Sequence, residues 1–216
     1  MEHVARLLAG KLLKISAINL QPYNSFIWAN GWNAPMYTDM RKTLSYPPLR
    51  TFIKIQLARL IMEHFGEADA VAGVATGAIA YSAMVADELG LPYAYVRTTP
   101  KDHGLENLIE GSLKPGDKVV VVNDLITNAS RSLLVAQTLR DAGCEVLGIV
   151  AMLDFEFESA AERFDEMGIP FKALSTYGDL LAVALSQKVI VPADVAAFNE
   201  WHDDPETWTP GDNDNE

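Results

Sequence analysis

Between residues 70 and 174 the chain returns five times to a short run of small, β-branched or aromatic residues, at Ala70–Ala75, Tyr93–Arg97, Lys118–Asn123, Val146–Leu153 and Phe171–Leu174. Helical apolar spacing fills most of the intervals, at Ala78–Leu89, Arg131–Ala142, Glu158–Met167 and Tyr177–Ser186. Four consecutive valines, Val119–Val122, leave no polar face, so that strand is buried on both sides. Strand and helix alternating at this spacing predict an α/β fold: a central, mostly parallel sheet flanked by helices.

The flanking regions divide the chain. Val4, Leu7, Leu8, Leu12 and Leu13 recur at helical spacing, predicting an amphipathic helix docked on the domain or on a second copy of the chain. Residues 15–46 are rich in aromatics and turn formers, with Pro22, Asn24, Gly31 and Pro35 between short strand-like pieces. After Pro47-Pro48 a helix is predicted to about Phe65, with Leu49, Ile53, Leu57 and Leu60 on one face. The expected organisation is therefore an N-terminal helix and small segment (1–46), an α/β core (47–202) and a polar, frayed tail (203–216).

In a parallel sheet, ligands gather where strands end and helices begin. Three such places stand out. At the first, Asp124 follows the valine strand, where its carboxylate can accept two hydroxyl hydrogen bonds. Thr127–Ser130 then form a turn ahead of a helix, whose free N–H groups suit a phosphate. A turn-starting Asp124 and a helix-capping Ser130 would explain the same residues without a ligand. At the second, Ala75-Thr76-Gly77-Ala78, small side chains permit close approach of a ligand, or equally of a helix to the sheet. The third, Arg97 to Gly104, gathers Arg97, Lys101 and His103 in a chain of formal net charge -12. That charge excludes a nucleic-acid partner and disfavours an anionic membrane surface, while leaving room for an anionic substrate at one basic site.

These stretches carry a resemblance. VVVVNDLITNAS is similar to the phosphoribosyl diphosphate (PRPP) motif of the type I phosphoribosyltransferases, and more narrowly the chain resembles the orotate phosphoribosyltransferase family. YVRTTPKDHG resembles that family's mobile catalytic loop. NGWNAPMYTDMRKTLSYPPLR, with Tyr37, Asp39 and Arg41, resembles its N-terminal orotate-side hood, and NEWHDDPETW the end of one bacterial branch. The resemblance implies transfer of a phosphoribosyl group from PRPP to orotate, with Mg²⁺ arriving on the diphosphate and no dedicated metal site. It implies Lys101, His103 and Asp124 as catalytic residues. It implies substrate contacts from Tyr37, Ala75, Thr76, Gly77, Ala78, Arg97 and Asn123, and from the turn Thr127, Asn128, Ala129, Ser130, Arg131 and Ser132. It also implies a homodimer in which the mobile loop reaches the neighbouring site.

The chain departs from the family's pattern at named positions. Asn123 stands where the family has the first of two acids. Asn128-Ala129-Ser130-Arg131 replaces a glycine-rich phosphate turn, Thr98 replaces a lysine beside the loop arginine, and Asn33 replaces another lysine. If the turn demands positive φ, Ala129 or Ser130 carries strain on the order of 1 kcal/mol. A silent binding or regulatory relative, or a transferase for a different base, is the competing reading.

Other chemistry is missing from the sequence: no Walker loop, dinucleotide fingerprint, zinc spacing or nucleophile elbow. Cys144 reads as a buried apolar thiol, and His3, His64 and His202 as surface or packing residues. Trp28 and Trp32 fit either a base pocket or packing beneath the hood, with packing favoured. No stretch has the apolar core of a signal peptide or the length to cross a bilayer, and the expectation is a cytoplasmic protein.

Overall fold

A computed structural model of the chain describes residues 2–28, 31–99 and 108–210. The chain begins with helix α1 (Glu2–Lys14) and continues through four short strands, β1 (Ile18–Leu20), β2 (Phe26–Ile27), β3 (Asn33–Ala34) and β4 (Met36–Thr38). A 3₁₀ turn at Met40–Ser45 leads into α2 (Pro47–His64), and β5 (Ala70–Val74), α3 (Ile79–Leu89), β6 (Tyr93–Val96) and β7 (Ile109–Gly111) follow. The second half comprises β8 (Lys118–Ile126), α4 (Ser130–Asp141), β9 (Glu145–Asp154), α5 (Glu158–Glu166), β10 (Phe171–Thr176), α6 (Tyr177–Ser186) and α7 (Val195–Asp203).

Among the described residues the main sheet has six strands in the order β10-β9-β8-β5-β6-β7. All neighbours run parallel except β7, which returns antiparallel to β6 at the edge. This is the expected α/β architecture, and Val119–Val122 are fully buried in the middle of it. Gly73 lets α3 lie close on β5: a Cβ there would stand 2.9 Å from Ser82 Cβ and 3.1 Å from the Tyr93 hydroxyl. Small residues after Ala70 thus serve helix packing at one position and, as shown below, the ligand crevice at another.

The N-terminal helix docks on the domain. Leu8, Ala9 and Leu12 are fully buried, and Ser175 Oγ donates to the Ala5 carbonyl at 3.1 Å, tying α1 to β10. Strands β1 and β4 pair antiparallel, as do β2 and β3, forming the small N-terminal segment.

The structure corrects the sequence reading at several ends. The valine strand does not stop at Asn123; it runs on to Ile126 because β9 offers partners as far as Asp154. The tail is not simply frayed from Asp203. Trp208 is buried at 7% exposure and Trp201 completely, since rings of that size gain most from leaving water. His202 stacks on Tyr177 at 4.5 Å and on Phe157 at 5.1 Å, a packing role. Cys144 is buried and free, and no helix among the described residues is long and apolar enough to cross a membrane.

Candidate active site

The strand order creates one place where the chain parts. From β5 it proceeds outward to β6 and β7, and from β8 it proceeds the other way to β9 and β10. The β5–β8 pairing ends at Gly73↔Val122, whereas β8 continues beside β9. A crevice therefore opens at the C-terminal ends of β5 and β8, the switch point of an open α/β sheet. It holds a cavity of about 500 Å³. Its walls are Val74–Gly77, Asn123–Leu125, Thr127–Ser132, and Ile27, Trp28 and Tyr37–Arg41 from the N-terminal segment.

Asp124 sits at the meeting of the two turns. Its Oδ1 accepts the Leu125 N–H at 2.9 Å. A Cβ added at Gly77 would stand 2.6 Å from its Cγ and 3.1 Å from Oδ1, so only glycine allows the carboxylate this position. Burial pushes the Asp124 carboxyl above its ordinary value. The backbone N–H groups of Leu125 and Asp124 itself, then the charges of Arg131 and Arg41, oppose that rise. A desolvated carboxylate aimed into a cavity and flanked by cations is suited to accept hydrogen bonds from ligand hydroxyls.

Asn123 is turned inward. Its Nδ2 donates to the Leu125 carbonyl and to Ser132 Oγ, both at 2.8 Å, and its Oδ1 accepts the Asp124 N–H at 2.8 Å. Only 4% exposed, it contributes to the wall of the cavity while all its polar atoms hold protein groups. The amide is suited to this position because it both donates and accepts; a carboxylate would have nothing to donate.

The following turn does require a left-handed residue. Ala129 has φ 62° and ψ -10°, and α4 begins immediately after it. For a residue with a Cβ this costs about 1–2 kcal/mol. Ser130 N–H is held by Asn128 Oδ1 at 3.2 Å, an Asx turn. The first turn of α4 leaves N–H groups without intrahelical partners beside the cavity, where they and the helix dipole favour an anion.

On the opposite side, Asp39 caps the 3₁₀ turn. Its Oδ1 accepts Arg41 N–H at 3.2 Å and Arg41 Nε at 2.8 Å, and this bonding holds the Asp39 carboxyl below its usual range. Thr43 Oγ1 lies 2.6 Å from Tyr81 Oη, anchoring the turn to α3. Trp28 Nε1 donates to the Met36 carbonyl at 2.9 Å and its ring packs edge-on against Phe155 at 5.2 Å, so Trp28 is a packing residue that also faces the cavity. Trp32 packs on Phe157 and is absent from this cavity.

Of the residues singled out in the sequence, Tyr37, Ala75, Thr76, Gly77, Asn123, Asp124 and Thr127 to Ser132 meet at this cavity. Ala78 does not, because its side chain is fully buried in the core. Arg97 also stands outside the lining; its N–H closes on the Leu108 carbonyl at 2.9 Å, at the foot of the segment that leaves β6 and returns as β7. Lys101 and His103 lie outside the described residues. Asp39 and Arg41, named with Tyr37 in the sequence, also reach the wall, and Thr38 and Met40 join them there without having been singled out.

Residues 50–167 match the phosphoribosyl transferase domain family. An orotate phosphoribosyltransferase of Bacteroides thetaiotaomicron is 54% identical over 211 residues, covering 98% of this chain and 100% of that protein. The chain belongs to the orotate phosphoribosyltransferase family. Solved structures agree with that membership. The orotate phosphoribosyltransferase of Aeropyrum pernix superposes with a TM-score of 0.73 at 28% identity, over 85% of this chain and 99% of that one. Leishmania donovani UMP synthase shares the fold with a TM-score of 0.77 at 24% identity, over 92% of this chain and 42% of that chain. In this member of the family the turn ahead of α4 is built around Ala129, and β8 carries Asn123-Asp124 at its open end.

Proposed function

We propose that the protein transfers the phosphoribosyl group of PRPP to orotate, giving orotidine 5′-monophosphate and diphosphate. The observation that carries this reading is the switch-point crevice. There a desolvated Asp124, the Gly77 turn and the N-terminus of α4 converge on one cavity. In the transfer, the bond from ribose C1 to the diphosphate oxygen breaks and a bond from C1 to the base nitrogen forms. Positive charge develops on the ribose ring while negative charge leaves on the diphosphate. Such a reaction is accelerated by orientation and by fixed charges, with no nucleophilic side chain needed.

Each wall has a part. Asp124 accepts the ribose hydroxyls and fixes the ring. The N–H groups of the turn Thr127–Ser132 and the start of α4 hold the 5′-phosphate. The Ala75–Gly77 turn borders the diphosphate, and the cations Arg97, Lys101 and His103 reach it from the 97–104 segment of a second copy of the chain. Arg41, steadied by Asp39, faces the base side and suits the orotate carboxylate. Loss of the family's glycines and first acid does not disturb this arrangement, since Ala129 adopts the left-handed conformation and Asn123 is fully bonded.

Among the described residues no group of three or more His, Cys, Asp or Glu side chains is placed to hold a metal. The oxygen donors present, chiefly Asp124, suit a hard cation that keeps most of its ligands from substrate and water. Mg²⁺ held in that way would neutralise charge on the diphosphate. On the family's pattern the working form is a cytoplasmic homodimer whose 97–104 segment serves the neighbouring site.

Calorimetry with PRPP and Mg²⁺, followed by orotate depletion on the same sample, tests the reading. PRPP binding with orotate consumption and diphosphate release is the expected result. A protein that binds PRPP but leaves orotate intact would overturn the assigned acceptor.

A further inference from the structure

The turn that carries Ala129 is gripped by a residue distant in sequence. Arg163, on α5, donates from Nη1 to the Asn128 carbonyl at 2.8 Å and to Ser130 Oγ at 3.0 Å. The two acceptors flank Ala129, the residue at φ 62°. Within the turn, Ser130 N–H is closed on Asn128 Oδ1 at 3.2 Å. Arg163 itself does not line the cavity. It therefore holds the turn from outside, and its neighbours on α5, Ala160 and Phe164, anchor that helix in the core.

We infer that Arg163 is a positioning residue for the phosphate-holding turn, taking over the work that glycine does in a turn of this shape. Glycine reaches positive φ without cost, whereas alanine must be held there. A guanidinium spanning the residues before and after Ala129 supplies that restraint. A trans peptide carries its N–H opposite its C=O. Fixing the Asn128 carbonyl on the outer side therefore directs the Ala129 N–H toward the cavity side, where an anionic oxygen can accept it. The cation behind the turn adds to the field acting on that anion. Arg131 lines the cavity, whereas the turn itself is held by Arg163.

This inference rests on the proposed reading of the cavity as a phosphoribosyl site, and ribose 5-phosphate separates the two. Its affinity is measured by calorimetry for the wild type, R163A, R163K and the double variant A129G/R163A. KM for PRPP and for orotate, and thermal melting, are followed in parallel. For R163A the expectation is about a tenfold weaker ribose 5-phosphate affinity, equivalent to about 1.4 kcal/mol, and a similar rise in KM for PRPP with KM for orotate unchanged. R163K recovers part of the loss. A129G in the R163A background recovers at least threefold, because the glycine turn no longer needs a brace. Unchanged affinity in R163A, an equal rise in both KM values, or no recovery with A129G would overturn the inference. A wild type that binds ribose 5-phosphate but consumes no orotate fails the proposed function and leaves the role of Arg163 intact. A wild type that does not bind ribose 5-phosphate overturns both.

Discussion

Gly77→Ala tests the architecture of the crevice most directly. The new Cβ would stand 2.6 Å from Asp124 Cγ, with Oδ2 inside contact distance, whereas ordinary contact begins near 3.4 Å. Asp124 must give way, because Gly77 belongs to a turn fixed by the backbone bonds Ala75 N–H to Val96 O and Ala78 N–H to Val74 O. Rotating the carboxylate off its rotamer costs about 0.5–1.5 kcal/mol. Losing the Leu125 N–H, a charge-assisted bond, costs about 1.5–3 kcal/mol more. Alanine's smaller unfolded-state entropy returns roughly 0.4–1 kcal/mol. The net loss of stability is about 1–4 kcal/mol, enough to lower the melting point by several degrees but not to unfold the domain. The functional loss is larger, since displacement by about 1 Å at a positioning group can cost on the order of a hundredfold. PRPP affinity by calorimetry and kcat/KM for PRPP should fall by about that factor. The same substitution in a D124A background should cost little further affinity, as the clash partner is gone. Wild-type affinity in G77A, or equal losses in the two backgrounds, would refute the geometry.

Other perturbations read single contacts. Asp124→Asn should weaken PRPP binding strongly yet raise the melting temperature, because the ionised carboxyl is buried at a cost. With its folded pKa above the ordinary 3.8, the native state holds this proton more tightly. The stability penalty is therefore absent below pH 3.8 and grows as pH rises toward the raised value, so the D124N advantage should appear at neutral pH and vanish in acid. PRPP affinity of the wild type should weaken at a pH above the ordinary carboxylate range as Asp124 takes up its proton. Asn123→Asp should destabilise by about 3 kcal/mol in urea titrations, since it sets a second buried charge against the Leu125 carbonyl; an equally stable variant would contradict the inward amide role. Arg41→Ala should raise KM for orotate about tenfold with KM for PRPP unchanged in steady-state kinetics.

Sequence carried the parts of this fold whose determinants are local. The helix Tyr177–Ser186 has the predicted bounds because Thr176 and Asp179 close a capping box on it. The valine strand was legible as buried, but its true end was not, because residues 123–126 are kept in the strand by β9 rather than by their own propensity. Strand β7 has three residues, too few for any periodicity, and exists through pairing of Val96 with Ile109 and its neighbours. The site divides the same way. Asp124 and its turn are contiguous and announce themselves; the crowding of Gly77 on Asp124 joins residues 47 apart and only the strand order reveals it. Arg163 reads in sequence as one charge on a solvated helix face, and its contact with Asn128 spans 35 residues.

The departures at Asn123 and at the Asn128–Ser130 turn acquire a common cause in these contacts. A glycine turn permits the conformation that a phosphate needs without enforcing it, and binding must then supply the ordering. Here Ala129 narrows the unfolded choices, the Asx bond from Asn128 closes the turn, and Arg163 fixes its outer carbonyl. The amide of Asn123 performs the same service for Asp124, holding its N–H and the neighbouring Leu125 carbonyl while Ser132 secures the amide from α4. Each substitution that removes freedom or charge from the loop is matched by a side-chain bond that fixes what remains. A loop assembled in this way exchanges tolerance for pre-organisation: it needs all of its braces, and any one of them should matter more here than in a turn that relies on glycine.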